Sequence, residues 1–242
     1  MSGQDEKLAE PAEPNVTKAR GGENSPADAC ALPGRRAAGE DPAKRGQIID
    51  GAKRVFMSVG FDAASMNDIT REAGVSKGTI YVYFENKEEL FAAMIERERN
   101  RVVQTVKHAL DDHEAIDEAL FDFGVTLTTH ITADPTIRAM RMVVGVSDRM
   151  PQLAKRFFAA TPESGLTVLQ AYLDRQVAAG ALDIEDTDLA ARQFIELCLA
   201  GMLKRRLFSE MTETPERGYI EKTVASAIRL FRAGYGTGAE NR

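Results

Sequence analysis

Lys77, Thr79, Tyr81, Tyr83 and Lys87 crowd one short stretch with cations and hydroxyls, and Gly78 and Val82 lie between them. None of them pairs a nucleophile with a base, and none has the spacing of a metal ligand set. What they offer is hydrogen bonding and charge toward a polyanion. Thr79 and Val82 suit base edges, through a hydroxyl or through contact with a thymine methyl. Tyr81, Tyr83, Lys77 and Lys87 suit phosphate oxygens, contacts that set register without reading sequence. Gly78 lets the backbone approach the bases closely.

Such a face works only if it is held on a helix, and the flanking residues supply one. Ser65 is a helix cap, with Asp68 placed to favour the positive helix start. Met66, Ile69 and Ala73 then recur at spacings of three and four, one buried stripe. Gly74 is a left-handed stop, and Val75 drops between this helix and the next. Ser76 caps the second helix, on which Ile80 and Phe84 face inward at i and i+4. Asn86 caps a third, with Glu89 closing the capping box and Lys87 left free for a phosphate. The stretch predicts a helix-turn-helix whose second helix shows its polar side outward. The competing reading is a helical hairpin with a tyrosine-rich solvated face.

The run Gly74-Val75-Ser76-Lys77-Gly78-Thr79-Ile80-Tyr81-x-Tyr83-Phe84-x-x-Lys87-x-x-Leu90 resembles the DNA-binding signature of the TetR family of bacterial transcriptional regulators. The likeness extends over residues 45 to 91. It implies that Thr79 contacts a base and that Tyr81, Tyr83 and Lys87 contact mainly phosphate. Ser65 stands where threonine is usual in the family, and Val82 occupies a variable base-reading position. The candidate DNA contacts are Lys44, Arg45, Ser65, Asn67, Ser76, Lys77, Gly78, Thr79, Tyr81, Val82, Tyr83 and Lys87.

Charge alone does not announce this partner. The 242 residues carry a net charge of −6, and residues 41 to 90 hold seven Lys/Arg against eight Asp/Glu. The DNA reading rests on placement, and it predicts a shallow salt dependence because few cations displace counterions. An architectural protein that binds DNA without sequence preference is the alternative, but a basic surplus is missing. Enzymes are excluded by the lack of a nucleophile motif, a phosphate loop or a metal set. Gly234-Tyr235-Gly236-Thr237-Gly238 follows a helix rather than a strand, which rules out a phosphate loop. His108, His113 and His130 lack metal-ligand spacing. Cys30 and Cys198 sit in unlike contexts, the first polar and the second apolar, with no disulfide framework. No cofactor is expected. No apolar run is long enough for a membrane span and there is no signal core, so a cytoplasmic protein is expected.

The expected architecture is all-α, a three-helix helix-turn-helix head followed by a helical ligand-binding and dimerisation bundle. Residues 1–40 read as a disordered extension, whose Arg35-Arg36 is within reach of a DNA backbone or serves only solubility. The head covers 41–91, the bundle 92–234 and a flexible tail 235–242. Asp41-Pro42 starts the first helix, whose stripe is Ile48, Ile49, Ala52, Val55, Phe56 and Val59 and whose stop is Gly60. On its other face Lys44, Arg45, Lys53 and Arg54 are available to phosphates. Further helices are expected over 87–109, 113–133, 136–149, from Pro151, over 164–180, 187–208 and 215–233, with Asp134-Pro135 acting as cap and first-turn proline.

The 187–208 segment is apolar around much of its circumference, which calls for cover on more than one side. Paired with 164–180 it predicts a four-helix bundle across a two-fold axis, with Leu169, Leu173, Phe194, Cys198, Gly201 and Met202 at the interface. A central helix in a monomer core is the alternative. Phe121, Phe123, His130, Arg138, Met140, Met142, Phe157 and Phe158 are the candidate lining of an effector cavity, though each also fits simple core packing. Arg149-Met150-Pro151-Gln152-Leu153, Gly180-x-Leu182-x-x-x-Asp186 and Ala190-Ala191-x-x-Phe194 resemble the AefR-like C-terminal domain of TetR regulators. That resemblance implies an effector-binding and dimerisation module, often in repressors of genes for efflux or for handling small aromatic compounds. Near-palindromic operator DNA, a small molecule and a second copy of the chain are the implied partners.

Overall fold

Asp41 accepts the Ala43 N–H at 2.9 Å, and Pro42 takes the first helical position, so α1 (Pro42–Ala63) begins where the sequence signals it. The structure, a computed structural model, describes Gly39 and residues 41–158 and 164–237, without the side chains at 154 and 156–158. The tail with Cys30 and Arg35-Arg36, the Phe157 and Phe158 side chains and the Thr161-Pro162-Glu163 break lie outside the described residues. The helices after α1 are α2 (Met66–Ala73), α3 (Lys77–Tyr83), α4 (Lys87–Asp111), α5 (Ile116–Thr132), α6 (Asp134–Val146) and α7 (Pro151–Phe158). Then come α8 (Gly165–Ala178), α9 (Thr187–Leu199), α10 (Met202–Leu207) and α11 (Arg217–Tyr235). Among the described residues the β pairing is a single antiparallel bridge, Leu182 to Gly236. None of the described helices is long and apolar enough to cross a membrane.

Two apolar clusters organise the chain. The first gathers Ile48, Ile49, Ala52, Phe56, Ile69, Ile80, Phe84, Leu90, Phe91 and Met94 around a trio of rings. Phe91 meets Phe56 and Phe61 edge-on, both at 5.2 Å between centroids. Gly51 allows α1 and α2 to touch, since a Cβ there would stand 2.6 Å from that of Ala73. The second cluster packs α5, α8, α9 and α11 around Phe123, Leu169, Leu173, Phe194, Val224 and Phe231. α4 threads both, with Leu90 to Met94 in the first and Val106 and Leu110 in the second. Val143, Val146 and Leu153 of α6 and α7 also belong to the first cluster, so its packing reaches well past residue 91.

Five expectations are corrected. Gly60 does interrupt α1 (φ 81, ψ 174), but the chain recovers for a turn as far as Ala63. That break turns Phe61 inward and leaves Val59, expected in the buried stripe, 52% exposed. Asp134 does not cap α6. Ala133 is the cap, and the Asp134 carboxylate is drawn to Arg206 instead.

The helix expected over 187–208 is two helices, because Gly201 adopts φ 78, a left-handed state that glycine enters without a Cβ clash. Leu169, Leu173, Phe194, Cys198 and Met202, expected at a subunit interface, are fully buried inside the single chain, and Gly201 is exposed at the break. The periodic apolar face of α9 is covered by α8 and α11 of its own subunit. Burial also pushes the Cys198 thiol pKa up to about 12, far from a reactive thiolate.

Candidate nucleic-acid interface

Local capping sets the pair α2 and α3. Ser65 Oγ accepts the Asp68 N–H at 3.1 Å and donates to the Asp68 carboxylate at 2.5 Å. That hydrogen bond, with the Arg71 guanidinium beside it, holds the Asp68 carboxyl below its ordinary range. Gly74 ends α2 at φ 63, ψ 38, and Gln47 of α1 donates to the Ala73 carbonyl at 2.7 Å, tying the turn to the first helix. Ser76 then caps α3, accepting the Thr79 N–H at 3.0 Å, with the Thr79 hydroxyl 2.7 Å away.

On α3 only Ile80 is fully buried, and Phe84 follows it inward. Ser76, Lys77 and Gly78 are exposed, as are Tyr81 (46%) and Val82 (50%). Thr79 is half-buried beside its cap, and Tyr83 leans on the first cluster. Asn67 is exposed on α2, two positions past the Ser65 cap. An exposed valine and tyrosine beside a lysine and a glycine, on a helix standing proud of its support, form a surface of the size and chemistry that enters a major groove.

The remaining cations divide. Arg45 is exposed, with its guanidinium 5.1 Å above the Phe84 ring, and Lys44 donates to Gln47 at 2.8 Å, so both stay at the surface. Arg54 is paired with Glu72 at 2.5 Å, and Lys53 with Glu98 at 2.9 Å. Lys87 differs most from expectation. Its ammonium donates to the carbonyls of Phe61, Asp62 and Ala64 at 3.0, 3.1 and 3.2 Å and lies over the Phe61 ring. All three of its hydrogens satisfy the carbonyls left open where α1 ends, so it is not the free cation that the cap-box reading implied. Glu89 accepts the N–H of Glu85 at 2.8 Å, one residue before the Asn86 cap.

A second site lies where the two clusters meet. A cavity of about 360 Å3 is walled by Lys53 and Met57 of α1, Met94 to Val103 of α4, Leu127 to Ile131 of α5, and Pro135 to Met140 of α6. His130 and Met140, both candidates from the sequence, stand in its wall. The other candidates go elsewhere: Phe123 is fully buried in the second cluster, and Met142 packs on the first. Phe121 faces a separate groove beside His113, and Arg138 is exposed with a 3.4 Å bond to the Met57 carbonyl. Sequence reasoning missed Met57, Met94 and the Lys53–Glu98 pair, since no local signal shows that α1 and α4 share a wall. It also missed Arg206, 2% exposed, which donates to the carbonyls of Thr132, Met211 and Thr212 and pairs with Asp134.

Comparison with known proteins gives two family matches. Residues 48–94 match the model of bacterial regulatory proteins of the tetR family, and residues 118–237 match the AefR-like transcriptional repressor C-terminal domain. The chain is 39% identical over 87 residues to the HTH-type transcriptional activator FasR of Mycolicibacterium smegmatis, a match covering 33% of this chain and 40% of that protein. The chain therefore spans less than half the length of that relative. Among solved structures, a TetR-family regulator from Mesorhizobium loti superposes with a TM-score of 0.74 at 24% identity, over 81% of this chain and 98% of the other. The flavonoid-responsive regulator FrrA gives 0.68 at 28% identity, over 82% of this chain and all of that one.

Proposed function

Because the chain belongs to the TetR family of bacterial transcriptional regulators, we propose that it is a homodimeric repressor released from its operator by a small molecule. The observation that carries this reading is α3, a capped helix with Lys77, Gly78, Tyr81 and Val82 turned to solvent. Two such helices about 34–36 Å apart would enter successive major grooves of a near-palindromic site. In this reading Thr79 and Val82 read bases while Lys77, Tyr81 and Tyr83 hold phosphates. Ser76 and Gly78 let the backbone come close, and Lys44, Arg45, Ser65 and Asn67 flank the groove. Residues 41–91 make the reading head and 92–234 the sensor and dimer module.

The dimer reading is supported by apolar side chains that the subunit leaves uncovered, Leu189 on α9 and Tyr219 and Leu230 on α11, which are 43–59% exposed. They replace the buried positions first expected at the interface. The effector reading is supported by the cavity between α1, α4, α5 and α6, an apolar space with a few polar groups and the size of a small-molecule site. Repression is supported by the AefR-like repressor model that covers the bundle. FrrA is named for its response to flavonoids, and a drug-like or aromatic effector, with efflux or catabolic genes under control, is the corresponding reading here. The ligand lowers DNA affinity by no more than its differential affinity for the two states. Such a regulator works in the cytoplasm.

Footprinting upstream of the protein's own and neighbouring genes, with and without candidate compounds, tests this. A protected near-palindrome that is lost on adding ligand is expected. Protection spread evenly over all DNA would point instead to an architectural protein.

A further inference from the structure

Two ion pairs of opposite polarity join α1 to α4. Arg97 of α4 reaches the Asp50 carboxylate and, at 3.2 Å, the Gly46 carbonyl. Beside it, Lys53 of α1 holds Glu98 of α4 at 2.9 Å. Only the second pair lines the cavity, whose wall is otherwise mostly Met57, Met94, Met140 and aliphatic side chains. The Lys53 and Glu98 side chains are 30% and 36% exposed, so the pair is neither sealed in the core nor fully solvated. A contact between the DNA-reading head and the bundle is thus also part of the ligand wall.

The chemistry of that wall selects the occupant. A neutral apolar molecule can fill the cavity and leave the pair intact. One that carries a carboxylate or phenolate oxygen meets the Lys53 ammonium in a partly dry site, where an unshared charge is costly and a substitute anion is welcome. Arg99, which has an interaction of its own, lines the same wall and adds a second cation. Once a ligand anion takes Lys53, Glu98 is left facing that anion without its partner, and repulsion drives α1 and α4 apart on the cavity side.

We propose that the effector is an apolar acid, and that it acts by taking Lys53 from Glu98 and so unfastening α1 from α4. This rests on the repressor reading above, and it adds the ligand class and the contact through which the ligand works. The Arg97–Asp50 pair, outside the cavity wall, stays closed and serves as the hinge side.

The matched probes are biphenyl-4-carboxylate and biphenyl-4-methanol, titrated calorimetrically into the full-length protein and then into its complex with a footprinted DNA fragment. The carboxylate is expected to bind at least tenfold more tightly than the alcohol and to release DNA, which the alcohol does not. Lys53→Met, which opens the pair for good, should bind both probes alike, hold DNA more weakly than the wild type without any probe, and release no further DNA when either probe is added. Glu98→Gln, which also opens the pair, should bind the carboxylate more tightly and likewise hold DNA more weakly before any probe is added. Asp50→Asn should keep the full acid preference and release DNA on adding the carboxylate. Equal binding by the wild type, no binding of either probe, or an acid preference that survives in Lys53→Met would each overturn the proposal. A protein that footprints a specific site yet shows no acid preference loses this inference and keeps the regulator reading. Acid preference with no footprint would remove the regulator reading and leave only the ligand class of the cavity.

Discussion

Two short helices, α3 of seven residues in the head and α10 of six in the bundle, are held in place by different means. Neither is long enough to persist alone, since isolated helices below about 12–15 residues are marginal in water. α3 is held by features within its own neighbourhood: the Ser76 cap, and Ile80 and Phe84 one turn apart on the buried side. α10 starts from a left-handed glycine and has no side-chain cap. It is fastened by Met202 and by one buried arginine whose partners lie 5, 6, 72 and 74 positions away in sequence. A helix built to show a face to a partner can be specified locally. A helix that joins distant parts of a subunit is specified by what it meets.

Experiments can break that contrast, beginning with the strongest. Arg206→Met strips a charged donor from three carbonyls and from Asp134, and should cost about 3–5 kcal/mol of stability in urea unfolding. A loss under about 1 kcal/mol would mean that Met202 alone holds α10, and the two helices would then be alike. Lys87→Met tests whether the head too depends on a distant tie. With three carbonyls at the end of α1 losing their donor, a loss of about 1–2 kcal/mol is expected. The salt dependence of DNA binding should stay the same, whereas a slope smaller by about one would restore the phosphate role.

Smaller effects sharpen the comparison. Thr79→Ala should leave stability unchanged and flatten the preference at one base position by about 1–2 kcal/mol, measured by competition with altered operators. Equal losses on operator and random DNA would contradict base reading. The least effect lies in the bundle, where Asp122 sits 2.6 Å from His113 and raises its pKa above the ordinary 6.5. A raised folded value means that this pair stabilises the protein in full below pH 6.5 and stops doing so as pH climbs through the folded pKa. His113→Asn should therefore flatten thermal stability across the near-neutral range, and an unchanged pH profile would remove the pair from the account.

Much of the head is legible in the amino-acid order because its signals act over three or four residues. Ser65, Gly74, Ser76 and Asn86 each sit where their own side chain or φ angle dictates, and the boundaries of α2 and α3 follow within a residue. The same habits misread α9 and α10. Leu169, Leu173, Phe194, Cys198 and Met202 form apolar stripes, and a stripe states that a face is covered without saying by which chain. Ala200-Gly201 reads equally as a close-packing pair or as a break, and only the surrounding helices choose between them. Lys87 shows the converse: a lysine at a helix start suits a phosphate, but the open carbonyls of α1 lie nearer.

By itself the order of residues determined an all-helical chain, a capped helix-turn-helix and an outward face of Lys77, Gly78, Tyr81 and Val82. Those features depend on periodicity and caps, which are properties of neighbours along the chain. Tertiary structure alone decided that α1 and α4 share the wall of a cavity, that Lys53 meets Glu98 there, and that Arg206 lies buried among carbonyls. The energy of a buried charge or a shared wall depends on which surfaces are pressed together, and that is set only when the helices pack.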